Sequence, residues 1–372
     1  MLKFMRGMII IFNIKAFPAY DGDCFLISYG EGNDIRNIVV DGGRRRDVVK
    51  KLKKEIKEIE SKDQVIDLMV LTHIDNDHIY GLLKLFEDES INGDIVKKIW
   101  FNSKEILAKE FDKIEIEDDT LQIMDKSDNK VSYKQGISLA ERLKQLNIEC
   151  TEIISSGHLL KLGEANLIVI SPDLGQLEKL YNKWDKEFQR TKDSGAKISS
   201  STKDEYNKRI DELFLMDYQE DNAVINGSSI AFCLEYKGRR LLMLGDAHPS
   251  TITKNLKYIK DNDDKIHRFD LIKLSHHGSK YNISAEFLEK VSCRNYLVST
   301  NGKTHGLPNK ETLVKVAKKE NGSSCVVYFN YDELYQTIFT EEEMAAINIK
   351  CIEPNDMKKE ILVVNICKLL GN

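Results

Sequence analysis

Short apolar runs separated by turn residues set the rhythm of the first seventy positions. MIIIFNIKAF reads as a strand, YDGD as a turn, CFLISYG as a second strand and NIVVDGG as a third, with Asp-Gly and Gly-Gly as punctuation. Apolar residues at 48, 49, 52, 56 and 59 then fall at helical spacing within VVKKLKKEIKEIE, leaving Lys and Glu on the other face. VIDLMVLTH returns to an apolar strand. Downstream, IVKKIWFN predicts a strand, GISLAERLKQLNI a helix and NLIVISP a strand. SSIAFCLEYKGRRLLMLGDA predicts a hairpin turning at Lys237-Gly238, and FDLIKLSHHGS and NYLVST two more strands.

Two stretches depart from that rhythm. Residues 174–221 are polar and helical, with a Ser-rich middle at 194–201, and read as an insertion between two core strands. A lid, a partner surface and a peripheral helical hairpin are all open roles for it. Residues 322–372 return to short strands, expected to complete a sheet edge. The pattern is α/β, one layered domain over residues 1–372 without internal repeats.

Composition narrows the class. With 41% hydrophobic and 31% charged residues the chain can bury a full core, and a net charge of −5 argues against coating nucleic acid by bulk electrostatics. No apolar run reaches membrane-spanning length. Lys3 and Arg6 before MIII imitate a signal peptide, but Asn13 and Lys15 interrupt the run and no small-residue cleavage site follows. Seven scattered cysteines without a Cys-x-x-Cys pair fit a reducing, cytoplasmic setting.

The chemistry is concentrated in LTHIDNDHIYG, residues 71–81. His73, Asp75, Asp77 and His78 follow an apolar strand, where two imidazoles and two carboxylates need a compensating charge. A bound divalent cation supplies it, and His/Asp ligation without Cys suits Zn²⁺, Mn²⁺ or Fe²⁺. Asp246 in LLMLGDAH and His276–His277 in LIKLSHHGS also follow apolar strands, so three strand-end clusters can meet at one sheet edge.

In the order GDCFLI, VVDGG, THIDNDH, ISP, SSIAFCLEY, LMLGDA, LSHHGS and VSTNGKTHGLP, the chain resembles the metallo-β-lactamase superfamily. Within it the likeness is to the branch of the soluble domain of competence-type DNA-uptake proteins and of phosphocholine esterases. The resemblance implies an αββα four-layer sandwich with the helical insertion, and two divalent metal ions, Zn²⁺ or Mn²⁺. It places His73 and Asp75 on the first metal, Asp77 and His78 on the second, Asp246 across both, and one of His276 and His277 as the last ligand. Asp41 falls where a carboxylate supports the ligands; Gly22 and Asp23 fall on a structural turn.

Two departures matter. Asp75 stands where many members carry histidine, giving a harder, oxygen-rich site. The middle histidine after the strand IVISPD is absent, with Asp173 the nearest donor and His158 expected in a structural turn. His305, in NGKTHGLPN, is expected to touch substrate or act as an acid; His248 and His267 are expected to be solvated or structural.

Branch likeness, the Arg44–Arg46 run after Asp41, and Ser279 and Lys280 beside the histidines all lean toward phosphate. The leading expectation is a phosphodiesterase or nuclease using a metal-activated hydroxide, with Asp77 on the catalytic metal. The alternatives are hydrolysis of a carboxylic ester, thioester or lactone, and a non-catalytic module binding a protein partner through 174–221.

Overall fold

The computed structural model describes residues 10–88, 91, 93–111, 128–189, 205–214, 218–261, 266–303, 305–319, 324–354 and 361–369. Their strands are β1 (Ile10–Ala16), β2 (Phe25–Glu31), β3 (Asp34–Val40), β4 (Leu68–Val70), β5 (Ile99–Trp100), β6 (Leu159–Leu162), β7 (Ala165–Ser171) and β8 (Ala231–Tyr236). They continue as β9 (Arg239–Met243), β10 (His267–Arg268), β11 (Leu271–Lys273), β12 (Val291–Ser292), β13 (Asn295–Val298), β14 (Cys325–Phe329), β15 (Ile349–Ile352) and β16 (Leu362–Asn365). One sheet runs β16-β1-β2-β3-β4-β5 and a second β15-β14-β13-β11-β9-β8-β7-β6, with β10 and β12 as a small parallel pair.

Period-two alternation sorts each strand between two cores. In β3, Ile38 and Val40 meet Phe232, Met243 and Leu271 between the sheets, whereas Val39 faces the helices outside. In β11, Leu271 points between the sheets and Ile272 outward, where it packs with Ile252, Phe287 and Leu313 of the other helical layer. Two sheets face to face with helices outside each make the αββα sandwich. Among the described residues no helix is long and apolar enough to cross a membrane.

The helix Arg46–Glu60 forms where the spacing predicts it and buries Val48, Val49, Leu52, Ile56 and Ile59. The segment from 174 leaves β7 and returns to its antiparallel neighbour β8. Its helix Leu174–Gln189 is tied into the fold: Leu177, Leu180, Tyr181 and Trp184 are buried in the first sheet's helical layer, Trp184 against Tyr133 with ring centroids 5.3 Å apart. The Ser-rich stretch 194–201 lies outside the described residues. In the tail, β14 and β15 extend the second sheet, whereas β16 crosses to pair with β1. Glu341–Ala346, inside the tail read as strands, is a helix instead, because Thr340 and Glu343 form a reciprocal capping box.

Parallel pairing fixes where chemistry can gather. β3 and β4 run parallel, as do β9, β11 and β13, so their C-terminal ends open on the same edge of each sheet.

Candidate metal centre

Each cluster residue leaves its strand at that edge. Asp41 follows β3, His73 follows β4, Asp246 follows β9, and His276–His277 follow β11. Asp75 is the N-cap of the helix Asn76–Phe86, yet its carboxylate caps no backbone N–H. It faces His73 instead, with Oδ2 3.7 Å from Nε2. The helix then starts abruptly enough to present Asp77 and His78 to the same point. Gly22 allows this approach: a Cβ there would sit 1.9 Å from the Asp77 carbonyl oxygen.

The cluster has one focus. Asp246 Oδ2 lies 3.8 Å from His73 Nε2, 3.6 Å from His78 Nε2, and 3.8 Å from Nε2 of both His276 and His277. Asp77 Oδ2 lies 3.6 Å from His78 Nε2 and 3.7 Å from His277 Nε2. The Nε2 atoms of His73, His78 and His277 are buried and lack any hydrogen-bond partner. Orphaned imidazole nitrogens around a shared carboxylate oxygen are what a bound cation would satisfy.

The opposite nitrogens are held. His78 Nδ1 is 2.8 Å from Asp41 Oδ2, and Asp41 also accepts from Thr72 through its backbone N–H (2.8 Å) and its hydroxyl (2.7 Å). His277 Nδ1 donates to the Ser299 carbonyl at 2.7 Å. Thr72 Oγ1 lies 3.0 Å from His73 Nδ1, and Asn282 Oδ1 lies 3.0 Å from His276 Nδ1. Such contacts fix each ring so that Nε2 faces the focus. Backbone strain marks the same spot, with positive φ at Asp41 (56°), His276 (46°), His277 (56°) and His305 (59°).

Without cations the groups perturb one another strongly. Burial, with the neighbouring His78, drives His73 down to about 3, and burial, with Asp77, pushes Asp75 up to about 7. Burial opposes charge on His277, but Asp246 and Asp23 outweigh it and raise it to about 10. Burial likewise opposes charge on Asp246, yet His276, His78 and His277 hold it well below the usual carboxylate range. Ionised carboxylates and unsettled imidazoles in one pocket are a ready donor set for a divalent ion.

A cavity of about 370 Å³ opens on the cluster, lined by Asp75, Asp77, Asp246, His276 and His277, with Asp21, Asn226, Thr300 and His305 among the others. The structure brings all seven expected ligands together, with Asp41 behind His78. His276 and His277 both direct Nε2 toward Asp246 Oδ2, at 3.8 Å each.

Other expected residues fall elsewhere. Ser279 and Lys280 do not line the cavity. After Gly278 (φ 86°) the chain turns away, Lys280 pairs with Glu205 at 3.2 Å, and Ser279 Oγ accepts from the Tyr281 backbone N–H. Of the arginines, Arg44 reaches the rim through Asp21 at 2.7 Å, Arg45 lies over the Tyr20 ring at 4.2 Å, and Arg46 opens its helix, exposed. Asp173 binds Lys254 and accepts from the Gln176 backbone N–H, away from the focus. His158 packs edge-on against Trp100, His267 pairs with Asp261 at 2.7 Å, and His248 is a helix N-cap.

The sequence reading missed Lys273, Asn282 and Asp221, whose Oδ2 lies 3.6 Å from His276 Nδ1 and accepts from the Asn282 amide at 3.1 Å, and took Asp23 for a turn residue. Lys273 had a signal: a lysine at an inward position of an apolar strand. Asp221 and Asn282 had none.

Residues 18–132 match the family model of the metallo-beta-lactamase superfamily, a span holding Asp41, His73, Asp75, Asp77 and His78. Among solved structures, CmlA, a diiron β-hydroxylase from Streptomyces venezuelae, matches with 11% identity and a TM-score of 0.39 over 95% of this chain, which spans 54% of CmlA. Zn²⁺-bound PqqB from Methylobacterium extorquens matches at 12% identity and TM-score 0.34, covering 91% of this chain and 86% of PqqB. A metallo-β-lactamase mutant from Cronobacter sakazakii matches at 12% identity and TM-score 0.25, over 62% of each chain. No curated protein sequence matches the chain.

Proposed function

From the metallo-β-lactamase fold of this chain, we propose that it is a metal-dependent phosphodiesterase acting on a small nucleotide or phosphate-bearing head group. One observation carries the metal site: Asp246 Oδ2 faces four imidazole Nε2 atoms at 3.6–3.8 Å, three of them buried without a partner. His73, Asp75 and His276 would hold one ion, and Asp77, His78 and His277 the other, with Asp246 shared. In this division His276 takes the role of the absent middle histidine. Two divalent ions held there would supply Lewis acidity to the phosphoryl oxygens and lower the pKa of water.

The chain's own residues do the rest. Asp41 orients His78, and Thr72 holds both Asp41 and His73. His305, on the cavity wall, is the proton donor for the leaving oxygen. Arg44, on the rim beside Asp21, offers a guanidinium to a second phosphate or a nonbridging oxygen. Preference for phosphate rests on this arginine and on the motif likeness to phosphodiester-cleaving branches. Preference for a small substrate over a nucleic-acid duplex rests on a cavity of about 370 Å³ and a net charge of −5.

Parallel assays of bis(p-nitrophenyl) phosphate and p-nitrophenyl acetate on Mn²⁺- and Zn²⁺-loaded protein test the assignment. Turnover of the diester, abolished in Asp246→Ala, supports it. Turnover of the acetate alone replaces it with the acyl-ester reading.

A further inference from the structure

Behind the proposed metal centre stands a lysine in the place of a core residue. Lys273 is the last residue of β11, and alternation sends its side chain between the sheets, on the face of Leu271. It is wholly buried. A buried ammonium needs partners, and it has three: the Asp23 carboxylate in close contact, the Gly245 carbonyl at 3.2 Å, and Asp246 Oδ1 at 3.9 Å.

These contacts close a ring. Asp246 Oδ2 faces His277 Nε2 at 3.8 Å, and His277 Nδ1 lies 3.4 Å from Asp23 Oδ1. Asp23 Oδ2 contacts Lys273, and Lys273 faces the other oxygen of Asp246. The two oxygens of Asp246 therefore have different surroundings: Oδ2 looks at four imidazoles, whereas Oδ1 is buried with no hydrogen-bond partner and looks at the ammonium.

We propose that Lys273, braced by Asp23, is a positioning residue that reserves Asp246 Oδ1 and so leaves the single oxygen Oδ2 to be shared between two cations. It rests on the metal-site reading above and adds to it how the shared carboxylate is oriented. A carboxylate without this brace is free to rotate and to present both oxygens to one ion, which would favour one filled site over two. The idea has a counter-intuitive sign. A fixed positive charge beside a cation site repels cations, so removing it should tighten binding if charge alone mattered. If position matters more, removing it loosens the second ion.

The test is Mn²⁺ titration followed by electron paramagnetic resonance, on wild type and on the Lys273→Met/Asp23→Asn double variant, which removes the buried pair together. Wild type is expected to bind two Mn²⁺ with an exchange-coupled spectrum. The folded double variant is expected to bind the second Mn²⁺ about 10–100-fold more weakly, with an uncoupled signal growing in, the size typical when support behind a metal ligand is lost. Unchanged or tighter binding of both ions in the folded variant overturns the proposal. Should the double variant not fold, Lys273→Met alone is read: charge alone predicts tighter binding there, the proposal predicts a weaker second ion, and unchanged or tighter affinity overturns it. Failure of wild type to bind any Mn²⁺ or Zn²⁺ is a separate result, and strikes the metal-site reading itself.

Discussion

The strand β9 carries a cluster of charged groups at each of its ends, and the two behave oppositely. At its start, Arg239 pairs with Asp270, Arg240 binds Glu235 at 2.7 Å and contacts Asp261, and Lys237 contacts Glu31 and Glu164. All of these but Glu31 line a cavity of about 570 Å³. At its finish, Asp246 Oδ2 faces four histidines beside a smaller cavity of about 370 Å³, which Asp75 and Asp77 also line, and three imidazole nitrogens have no partner. Cavity size and unpartnered chemistry therefore single out opposite ends. What separates the ends is compensation: in one cluster each carboxylate contacts Arg239, Arg240 or Lys237, whereas the other waits for a charge the chain does not supply in full. Lys273 gives one positive charge to the second cluster, but on the side away from the cavity.

The strongest way to break this contrast is Asp246→Ala. It should abolish binding of both ions and lower diester turnover by roughly a thousandfold or more, since metal activation supplies several kcal/mol and each 1.36 kcal/mol is about tenfold. Assay and elemental analysis on one preparation check both effects. At the other end of β9, Arg240→Met takes the guanidinium from Glu235 and Asp261, leaving Asp261 with His267. It should cost about 1.5–3 kcal/mol of stability, the worth of hydrogen bonds to charged groups, while metal content and turnover stay at wild-type levels. Chemical denaturation beside the same assay reads this.

Asp41→Asn sharpens the picture at smaller scale. It keeps the shape beside His78 but removes the charge, and metal affinity should fall about 10–100-fold. Chelation should lower the wild-type melting temperature, because ions at about 100 times their Kd add roughly 2.7 kcal/mol. It should leave that of Asp246→Ala unmoved. Smallest of all is Lys280→Ala. Its ammonium belongs to Glu205, outside the cavity, so steady-state kcat/KM should stay within about twofold of wild type, as for surface substitutions generally.

The sandwich and its focus were legible because both rest on local signals. Strand-end positions of His73, Asp75, Asp246 and His276–His277 follow from apolar runs read in sequence, and parallel strands bring such ends together. The supporting contacts were not legible, because they join residues far apart or across an irregular turn. Asp23 meets Lys273, and Asn282 meets His276 through a turn whose shape depends on positive φ at two histidines. Lys280 shows the complementary error. Proximity in sequence to His277 suggested proximity in space, yet the left-handed Gly278, followed by Ser279, carries it to another face. Likewise the 174–221 stretch was read as polar and helical, but its anchoring in the core by Leu177, Tyr181 and Trp184 was not legible, because those residues stand scattered among charges.

The most direct measurement is anomalous diffraction from crystals grown with Mn²⁺ or Zn²⁺, collected at the metal's absorption edge. Two peaks are predicted beside Asp246, one among His73, Asp75 and His276 and the other among Asp77, His78 and His277. No peak at that edge of the sandwich, with the same imidazole nitrogens still unpartnered, would contradict the account.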